Sequence, residues 1–548
     1  MLAAMPLFAG WSPEQLRDFV EELDIGEYPA GETIVRQGDT SPGVFILLSG
    51  RLAVRVQRET VAWLHPPDIF GELSYITGKP SPADVEVVVE ARVARINHSG
   101  PRYRTIWDRL QQMVLGMLPQ GARRQQRTAV VLLDADDAWD AHRSFAAELT
   151  NALEQETGRP ALLVDRGLRL ADAATLQAQV IEWKERFPNI VLAPPPGDLD
   201  RVVLQIAGLA DWHGILLGPG SPAPHGLDGA YFVVQSADRP TLPVLDGRRQ
   251  LLADSAVSEA LYLQGRPVTP AFTRTAASIA RRIAGTQVGL ALSGGAAWGW
   301  VHIGALEVLQ QAGIPVDMIA GCSMGAVIGA LRCTGMPVED LVEIPKYWST
   351  RTRRFLEWRL WRMSLLNDRM VCRTFQRYFG DLAVNRMAIP FRVGTVDLES
   401  GHEEPQVDGP LWEALRASIA LPGLLPPLRR GDRLLVDASI VDPLPVQMVR
   451  DMGADFVIAV NAIVPPGVRH RSGWSPLKLH SIVVQSLAVM QQAIGLGAAA
   501  KAADIVFSPD LSGISLLDFK RGPEIVAAGK RAAVEKLPFI RTLYERLR

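Results

Sequence analysis

The chain has 548 residues, more than a single hydrophobic core accommodates, so we expect about three domains. Its 48% hydrophobic and 21% charged residues are typical of globular proteins, which argues against large disordered regions. The 57 Lys and Arg residues against 59 Asp and Glu leave a net charge of −2, which argues against nucleic acid as a partner.

Cysteine usage and the first residues favour a cytoplasmic protein. Cys322, Cys333 and Cys372 are too few and too irregularly spaced for a disulfide framework or a zinc site. Residues 1–10 lack the basic stretch and long apolar run of a secretory signal. Residues 481–500 are uncharged and about long enough to span a bilayer, but their glutamines and apolar spacing favour a helix packed on one side. We therefore expect any membrane contact to be peripheral.

Short apolar segments separated by glycines predict an N-terminal β-roll with helices at its ends, in a domain over residues 1–118. A helix is predicted over residues 11–23, capped by Ser12 and with Pro13 as its first residue. The strands are predicted at residues 32–36, 44–48, 52–56, 61–64 and 85–89.

Three motifs in this region resemble the cyclic nucleotide-binding domains: Gln37-Gly38-Asp39, residues 45–50, and Phe70-Gly71-Glu72-Leu73. The resemblance implies a nucleotide site at Gly71, Glu72 and Leu73, with Glu72 on the ribose 2′-hydroxyl. It also implies an arginine several residues later on the cyclic phosphate.

The chain departs from that pattern at the phosphate. Ser81 and Pro82 stand at and after the arginine position, and Lys79 offers only a point charge on a flexible stem. A cyclic nucleotide therefore lacks its main anionic contact. The alternative is a fold retained for packing between domains.

Alternating strands and helices predict a three-layer α/β sandwich with a mostly parallel sheet over residues 128–268. Asp134, Asp136 and Asp137 are interpreted as a solvated acidic loop rather than a metal site. The strands are predicted at 129–133, 161–164, 189–192, 215–217 and 231–234, and the helices at 138–155 and 174–186.

The most informative segment is Gly321-Cys322-Ser323-Met324-Gly325, a G-x-S-x-G spacing between an apolar run and small apolar residues. A strand, a sharp turn and a helix would expose the Ser323 hydroxyl at a helix N-terminus, where developing negative charge is favoured. The alternative is a small-residue helix packed closely on a sheet.

Upstream, a predicted strand at residues 288–292 leads into Ser293-Gly294-Gly295-Ala296-Ala297-Trp298-Gly299. Such a turn can aim successive backbone N–H groups at one point, as an oxyanion hole requires. A nucleotide phosphate is the weaker alternative, because neither G-x-G-x-x-G nor G-x-x-x-x-G-K-[ST] is present.

Downstream, Asp437 ends the apolar run 434–436 and precedes small residues, so it can approach a serine and act as its base. Histidine ordinarily has that role in serine hydrolases. His302 and His402 are available, but neither is placed clearly as the third member of a catalytic triad.

Together these segments resemble the patatin-like phospholipases, over about residues 287–446, and residues 394–398 and 416–427 also match. The resemblance implies an α/β hydrolase with a Ser323–Asp437 catalytic dyad and no metal or organic cofactor. It implies that the backbone of Gly294, Gly295 and Ala296 forms the oxyanion hole.

Three residues depart from the family pattern. Ala296 replaces a third glycine, Trp298 a basic residue, and Ala438 a glycine. Alanine at position 296 still offers its N–H, but a positive φ there would cost on the order of 1 kcal/mol.

The series of a cyclic nucleotide-binding-like domain, an α/β spacer and a patatin-like domain over 286–548 resembles the neuropathy target esterase group. We therefore expect an esterase acting on lysophospholipids or phospholipids, with a helical C-terminal extension. The alternative is a weak or inactive lipid- or nucleotide-sensing regulatory protein. Arginines interleaved with tryptophans predict the membrane interface, with ordinary inward packing of those tryptophans as the alternative: Trp348, Arg353, Arg354, Trp358, Arg359 and Trp361.

Overall fold

The computed structural model has a multidomain architecture with three β-sheets that follow one another along the chain. The residues it describes are 2, 5–8, 11–21, 23–39, 41, 43–56, 59–96, 106–107, 109–110, 113–114, 129–135, 142–165, 173–194, 210–217, 231–236, 250–253, 270–349, 368–422, 425–463, 486, 489–490, 502–516 and 518–548.

The N-terminal domain is the predicted β-roll. Its elements are α1 (Pro13–Glu21), β1 (Asp24–Tyr28), β2 (Thr33–Val35), β3 (Val44–Val56), β4 (Glu59–Leu64), β5 (Ile69–Phe70), α2 (Glu72–Thr77) and β6 (Asp84–Ile96). The six strands pair antiparallel in the order β1-β6-β3-β4, with β2 on β6 and β5 on β3.

Local chemistry explains two features of this domain. The Ser12 N–H donates to Gln15 Oε1 at 2.8 Å and the Gln15 N–H donates to Ser12 Oγ at 3.2 Å, a reciprocal cap that starts α1. The two strands predicted at 44–48 and 52–56 are one strand, because the chain continues through a bulge at Gly50. Gly50 has φ +95, and a Cβ there would lie 2.4 Å from the Glu90 carbonyl oxygen.

The middle domain is a three-layer α/β sandwich whose sheet is parallel throughout its described strands, in the order β12-β11-β10-β7-β9-β8. Its strands are β7 (Ala129–Ala135), β8 (Ala161–Val164), β9 (Asn189–Leu192), β10 (Trp212–Leu217), β11 (Tyr231–Ser236) and β12 (Gln250–Ala253). Its helices are α3 (His142–Thr157), α4 (Ala173–Arg186) and α5 (Pro270–Ala284). Helices α3 and α5 cover one face through Phe145 and Ile279, and α4 covers the other through Val180.

The C-terminal domain is built on a seven-stranded sheet in the order β16-β17-β15-β14-β13-β18-β19. Its strands are β13 (Val288–Leu292), β14 (Met318–Cys322), β15 (Phe391–Asp397), β16 (Leu428–Arg430), β17 (Arg433–Asp437), β18 (Phe456–Val460) and β19 (Ile505–Phe507). Its helices are α6 (Val301–Gln311), α7 (Met324–Cys333), α8 (Val338–Leu341), α9 (Glu343–Ser349), α10 (Asp368–Phe379), α11 (Leu411–Ser418), α12 (Val446–Asp451) and α13 (Gly522–Leu547). The central strands β13, β14 and β18 are buried along their whole length, as expected for parallel strands covered on both faces.

The tail of the chain differs in part from the predicted helical extension. Helix α13 is present, but β19 precedes it as a strand paired parallel with β18. Its three residues are apolar and buried, and β-branched residues suit an edge of a covered sheet. Within the described ranges, no helix combines the length and apolar character that a membrane crossing needs.

The β-roll packs directly on the C-terminal domain. Ile76 of α2 belongs to the same hydrophobic core as Phe507 of β19 and Phe539 of α13. Lys536 donates to the Tyr75 carbonyl oxygen, and its ammonium lies 5.1 Å from the centre of the Tyr75 ring. Burial lowers the pKa of Lys536 to about 8. The segment 71–82, which we call the cassette, therefore lies at an interface between domains.

We expect Gly78→Ala to lower the melting temperature more than Gly31→Ala. Both glycines have positive φ, +73 and +92, so alanine at either position carries about 1–2 kcal/mol of left-handed strain. At Gly78 the new Cβ would also lie 2.1 Å from the Val506 carbonyl oxygen, whereas at Gly31 it meets nothing within 4 Å. Thermal unfolding followed by circular dichroism measures the difference. Equal shifts for the two variants would contradict the packing of the cassette on β19.

Candidate active site

Ser323 lies on a strained turn between β14 and α7. Its φ of 52° and ψ of −124° fall in a region that residues with side chains rarely adopt. A Cβ on Gly325 would lie 2.3 Å from the Leu292 carbonyl oxygen, and one on Gly321 would lie 2.6 Å from the Ala326 nitrogen. Both glycines of the G-x-S-x-G spacing are therefore required by close backbone approach, which places the start of α7 against the end of β13.

Asp437 ends β17 at the same edge of the sheet. Thr395 of β15 pairs with Asp437, and the preceding residue Gly394 pairs with Cys322 of β14. A Cβ on Gly394 would lie 3.1 Å from the Cβ of Ala438 and 3.3 Å from the Cβ of Cys322. Because Gly394 has no side chain, the ends of β14 and β17 approach each other across it.

Burial controls the chemistry of the Asp437 carboxyl. It is fully buried, which raises its pKa to about 6 against the opposing effect of the Ser439 N–H and of the nearby Ser323 hydroxyl. The Ser439 N–H donates to Oδ1 at 2.9 Å. The other carboxyl oxygen, Oδ2, forms no hydrogen bond with any atom of the described residues. The serine and the carboxyl thus lie within interaction range, and one carboxyl oxygen is available to accept a proton.

The glycine-rich loop, residues 293–298, lies against the nucleophile: a Cβ on Gly294 would be 3.3 Å from the Ser323 Cβ. The Gly294 N–H donates to the Pro443 carbonyl oxygen at 3.2 Å. The amides of Gly295 and Ala296 have no acceptor in the part of the chain that the structure describes. Gly295 has φ +146 and Ala296 has φ +46, so Ala296 does occupy the strained conformation.

His302 contacts the loop. Its Nε2 lies 2.8 Å from the Ser293 carbonyl oxygen, so this nitrogen carries the proton and donates. Burial lowers the His302 pKa to about 4, and the ring is therefore neutral at physiological pH. His402 is exposed in the turn after β15.

Two further serines hold the site, and the sequence assigned neither a role. The Ser323 N–H donates to Oγ of the fully buried Ser418 at 2.9 Å. The Ser439 N–H fixes the Asp437 carboxyl. The spacing of Asp437 and Ser439 is that of an Asx turn, a local signal that was available in the sequence. Ser418 lies far from Ser323 in the sequence and is brought next to it only by folding, so no local pattern predicts this contact.

Polar side chains of the cassette form hydrogen bonds with backbone groups of the β-roll itself. The Ser81 hydroxyl, at the expected arginine position, donates to the Ala83 carbonyl oxygen at 2.8 Å. Ser74 Oγ donates to the Lys79 carbonyl oxygen at 2.6 Å. Burial lowers the pKa of Lys79, and the charge of Asp504 in the C-terminal domain offsets part of that lowering, so the Lys79 ammonium lies near that domain. Burial raises the pKa of Glu72.

The predicted membrane-interface residues fall almost wholly outside the described ranges. This holds for Arg353, Arg354, Trp358, Arg359 and Trp361. Trp348 lies in α9, where the structure describes its backbone but not its side chain.

Two family models match the chain. Residues 290–450 match the patatin-like phospholipases, and residues 25–100 match the cyclic nucleotide-binding domain. The C-terminal unit is a patatin-like phospholipase domain. Its match includes the glycine-rich loop, the Ser323 turn and Asp437, which are the segments that the sequence singled out.

The relatives that this chain resembles differ in length. Neuropathy target esterase sws of Drosophila melanogaster is 33% identical over 33% of this chain, which spans 13% of that protein. Patatin-like phospholipase domain-containing protein 6 of Mus musculus is 26% identical over 82% of this chain, which spans 39% of that protein. An uncharacterized NTE family protein of Mycobacterium bovis is 24% identical over 97% of this chain and 95% of its own length.

Among solved structures, the N-terminal domain of a transcriptional regulator from Streptomyces coelicolor A3(2) is 20% identical, with a TM-score of 0.20. The match covers 22% of this chain and 95% of that chain.

We expect cyclic AMP and cyclic GMP not to bind in the micromolar range when titrated by calorimetry. Without a guanidinium at position 81, the phosphate loses charge-assisted hydrogen bonds, which weakens binding by about 10- to 150-fold. Ser81→Arg is the matched variant, and a gain of binding there would attribute the loss to the missing cation. Micromolar binding by the unaltered protein would contradict the expectation.

Proposed function

We propose that the protein is a serine esterase that hydrolyses acyl esters of lysophospholipids or phospholipids through a Ser323–Asp437 dyad. The observation that carries the proposal is the buried Asp437 carboxyl within interaction range of a serine on a strained turn. The patatin-like domain and the names of the relatives support a lipid ester as substrate.

In this mechanism Asp437 accepts the proton of the Ser323 hydroxyl as Ser323 Oγ attacks the ester carbonyl carbon. A carboxylate with its usual pKa near 3.8 is a poor base at neutral pH, and burial brings that of Asp437 to about 6. Catalytic hydrogen bonds are often poorly aligned before substrate binds, so the open Oδ2 is consistent with a bond that tightens in the complex.

The amides of Gly295 and Ala296 would stabilise the tetrahedral oxyanion. The Gly294 amide, the third donor expected from the sequence, is engaged with Pro443 and contributes through the shape of the loop. The N-terminus of α7 adds the positive end of its helix dipole beside Ser323. A single oxyanion donor contributes about 100- to 1,000-fold to kcat in other acyl-transfer enzymes.

The acyl-enzyme is then hydrolysed. Protonated Asp437 returns its proton to the leaving alcohol oxygen, and in the second step the ionised carboxylate takes a proton from the attacking water. Asp437 then gives this proton to Ser323 Oγ as the bond between Oγ and the acyl carbon breaks, so the fatty acid leaves and the Ser323 hydroxyl is regenerated. This route uses no metal or organic cofactor, and membrane contact through residues 348–361 stays a prediction.

A weak or inactive lipid- or nucleotide-sensing protein is the second candidate. The positive φ of Ala296 favours it, because a strained residue in the loop can misplace an oxyanion donor. The same experiments decide between the two candidates.

We expect a fluorophosphonate probe to label Ser323 covalently, and the protein to release fatty acid from lysophosphatidylcholine. Ser323→Ala should abolish labelling and lower kcat by more than about a thousandfold, because the nucleophile is lost. Mass spectrometry of the labelled peptide locates the probe. Fatty-acid release that survives Ser323→Ala, or no release at all, would reject the esterase.

Asp437→Asn supplies the matched variant for the base. It should remove turnover without lowering the melting temperature at neutral pH. The raised pKa means that the folded state binds more protons than the unfolded one between about pH 3.8 and pH 6, so stability falls as pH rises through that window. The amide avoids this cost and keeps an oxygen for the Ser439 N–H.

The acid limb of kcat/KM should titrate with an apparent pKa of about 6, because Asp437 must be ionised to act as base. At pH 5 we expect kcat/KM to be about tenfold below its plateau. Hydrolysis of p-nitrophenyl butyrate from pH 4.5 to 9 measures it, with circular dichroism at each pH as the control for folding. An acid limb near pH 4 would mean that the base is an ordinary exposed carboxyl.

A further inference from the structure

Trp298 occupies a special place in the glycine-rich loop. It is 3% exposed, and its indole N–H donates to the Ile514 carbonyl oxygen at 3.0 Å. Its backbone N–H donates to the Gly295 carbonyl oxygen at 2.9 Å, which closes the turn that contains Ala296. One residue therefore closes the turn around the strained position and ties that turn to a distant segment.

The distant segment, residues 511–516, which we call the arm, is itself held firmly. The Ile514 N–H donates to the Leu511 carbonyl oxygen at 3.1 Å, and Leu511 and Ile514 are buried in the main hydrophobic core. The Arg521 guanidinium donates to the Gly513 carbonyl oxygen at 2.6 Å. The arm thus gives the loop a fixed acceptor.

The loop has separate contacts on each side of Ala296. On the N-terminal side, His302 holds the Ser293 carbonyl and Pro443 holds the Gly294 amide. On the C-terminal side, the Ala297 N–H donates to the Leu516 carbonyl oxygen at 3.0 Å, and the Trp298 indole donates to Ile514. Both C-terminal contacts go to the arm.

Helix packing keeps the loop and the arm in register. A Cβ on Gly304 of α6 would lie 2.2 Å from the Val526 carbonyl oxygen, and one on Gly529 of α13 would lie 2.2 Å from the Val301 carbonyl oxygen. The two helices are therefore in backbone contact. Since α6 closely follows the loop and α13 follows the arm, the acceptor at Ile514 has little freedom relative to the loop.

We propose that Trp298 is a positioning residue for the oxyanion hole, and that its indole fixes the Gly295 and Ala296 amides by anchoring the loop to the arm. This inference rests on the proposed esterase activity. A bond that sets donor position affects the transition state more than the bound substrate, so its loss lowers kcat and leaves KM nearly unchanged.

The chain offers a matched control in Trp300. It is also 3% exposed, but its indole N–H has no acceptor among the described residues. Its ring packs edge-on against Phe519, with the centroids 6.3 Å apart. Trp298→Phe and Trp300→Phe each remove a similar volume and one indole N–H, and only the first removes a hydrogen bond.

The test compares the two variants in p-nitrophenyl butyrate hydrolysis, fluorophosphonate labelling and thermal unfolding. We expect Trp298→Phe to lower kcat at least about tenfold with KM changed less than about threefold. Trp300→Phe should keep kcat within about threefold of the unaltered protein, with a similar shift in melting temperature. Labelling of Ser323 should slow in the Trp298 variant alone.

Benzothienylalanine, which has the shape of tryptophan with sulfur in place of the N–H, provides a second variant at each position. Because benzothienylalanine preserves the shape of the tryptophan ring, it still tests the loss of the N–H if either phenylalanine variant fails to fold. The same loss of kcat at position 298 and none at 300 would support the anchoring role. Equal kcat values for both positions in an active enzyme would overturn it and leave the esterase intact. An unaltered protein without labelling or turnover overturns both proposals.

Discussion

The removal of one carboxyl from water, that of Asp437, is the constraint on which the geometry of the site depends. A charged group buried without full compensation favours its neutral form, and in the proposed mechanism the resulting pKa of about 6 makes Asp437 a more effective base. The neighbouring Cys322 thiol responds to the same environment, since burial and the nearby Asp437 charge raise its pKa well above the usual value. The absence of a side chain at Gly394 lets the strands meet, and the close approach of Gly325 to β13 fixes the position of the turn that carries Ser323.

Helix α13 joins the site to the rest of the protein. Along one part it packs backbone to backbone on α6, next to the glycine-rich loop, and along another it contacts the cassette through Lys536. The β-roll and the C-terminal domain therefore share one hydrophobic core. In the cassette, Gly78 and Tyr75 make contacts to the C-terminal domain that do not need a ligand.

Local sequence patterns predicted the strands well, but they could not predict contacts between residues that are far apart in the sequence. The strand bounds predicted at 161–164, 189–192 and 288–292 agree with the structure, because each is a short apolar run bounded by polar or turn residues. The strand Gln250–Ala253 was missed, and β19 was expected to be helical, because neither segment carries a periodicity that separates strand from helix over so few residues. At the site, motif spacing singled out Ser323 and Asp437. The bond from Trp298 to Ile514 joins residues 216 positions apart, and no local pattern reports such a contact.

The departures from the family pattern have unequal physical consequences. Ala438 begins a short 3-10 helix, and positive φ is confined, among the described non-glycine residues, to Ala296 and Ser323. The methyl group of Ala438 fills the space that the missing side chain of Gly394 leaves, so alanine is accommodated at position 438. Ala296 is different, because its Cβ costs on the order of 1 kcal/mol at positive φ. A strained residue persists only where its surroundings over-determine its conformation. In this chain those surroundings include the arm, which reaches the loop through Trp298, so the substitutions at 296 and 298 form one physical unit.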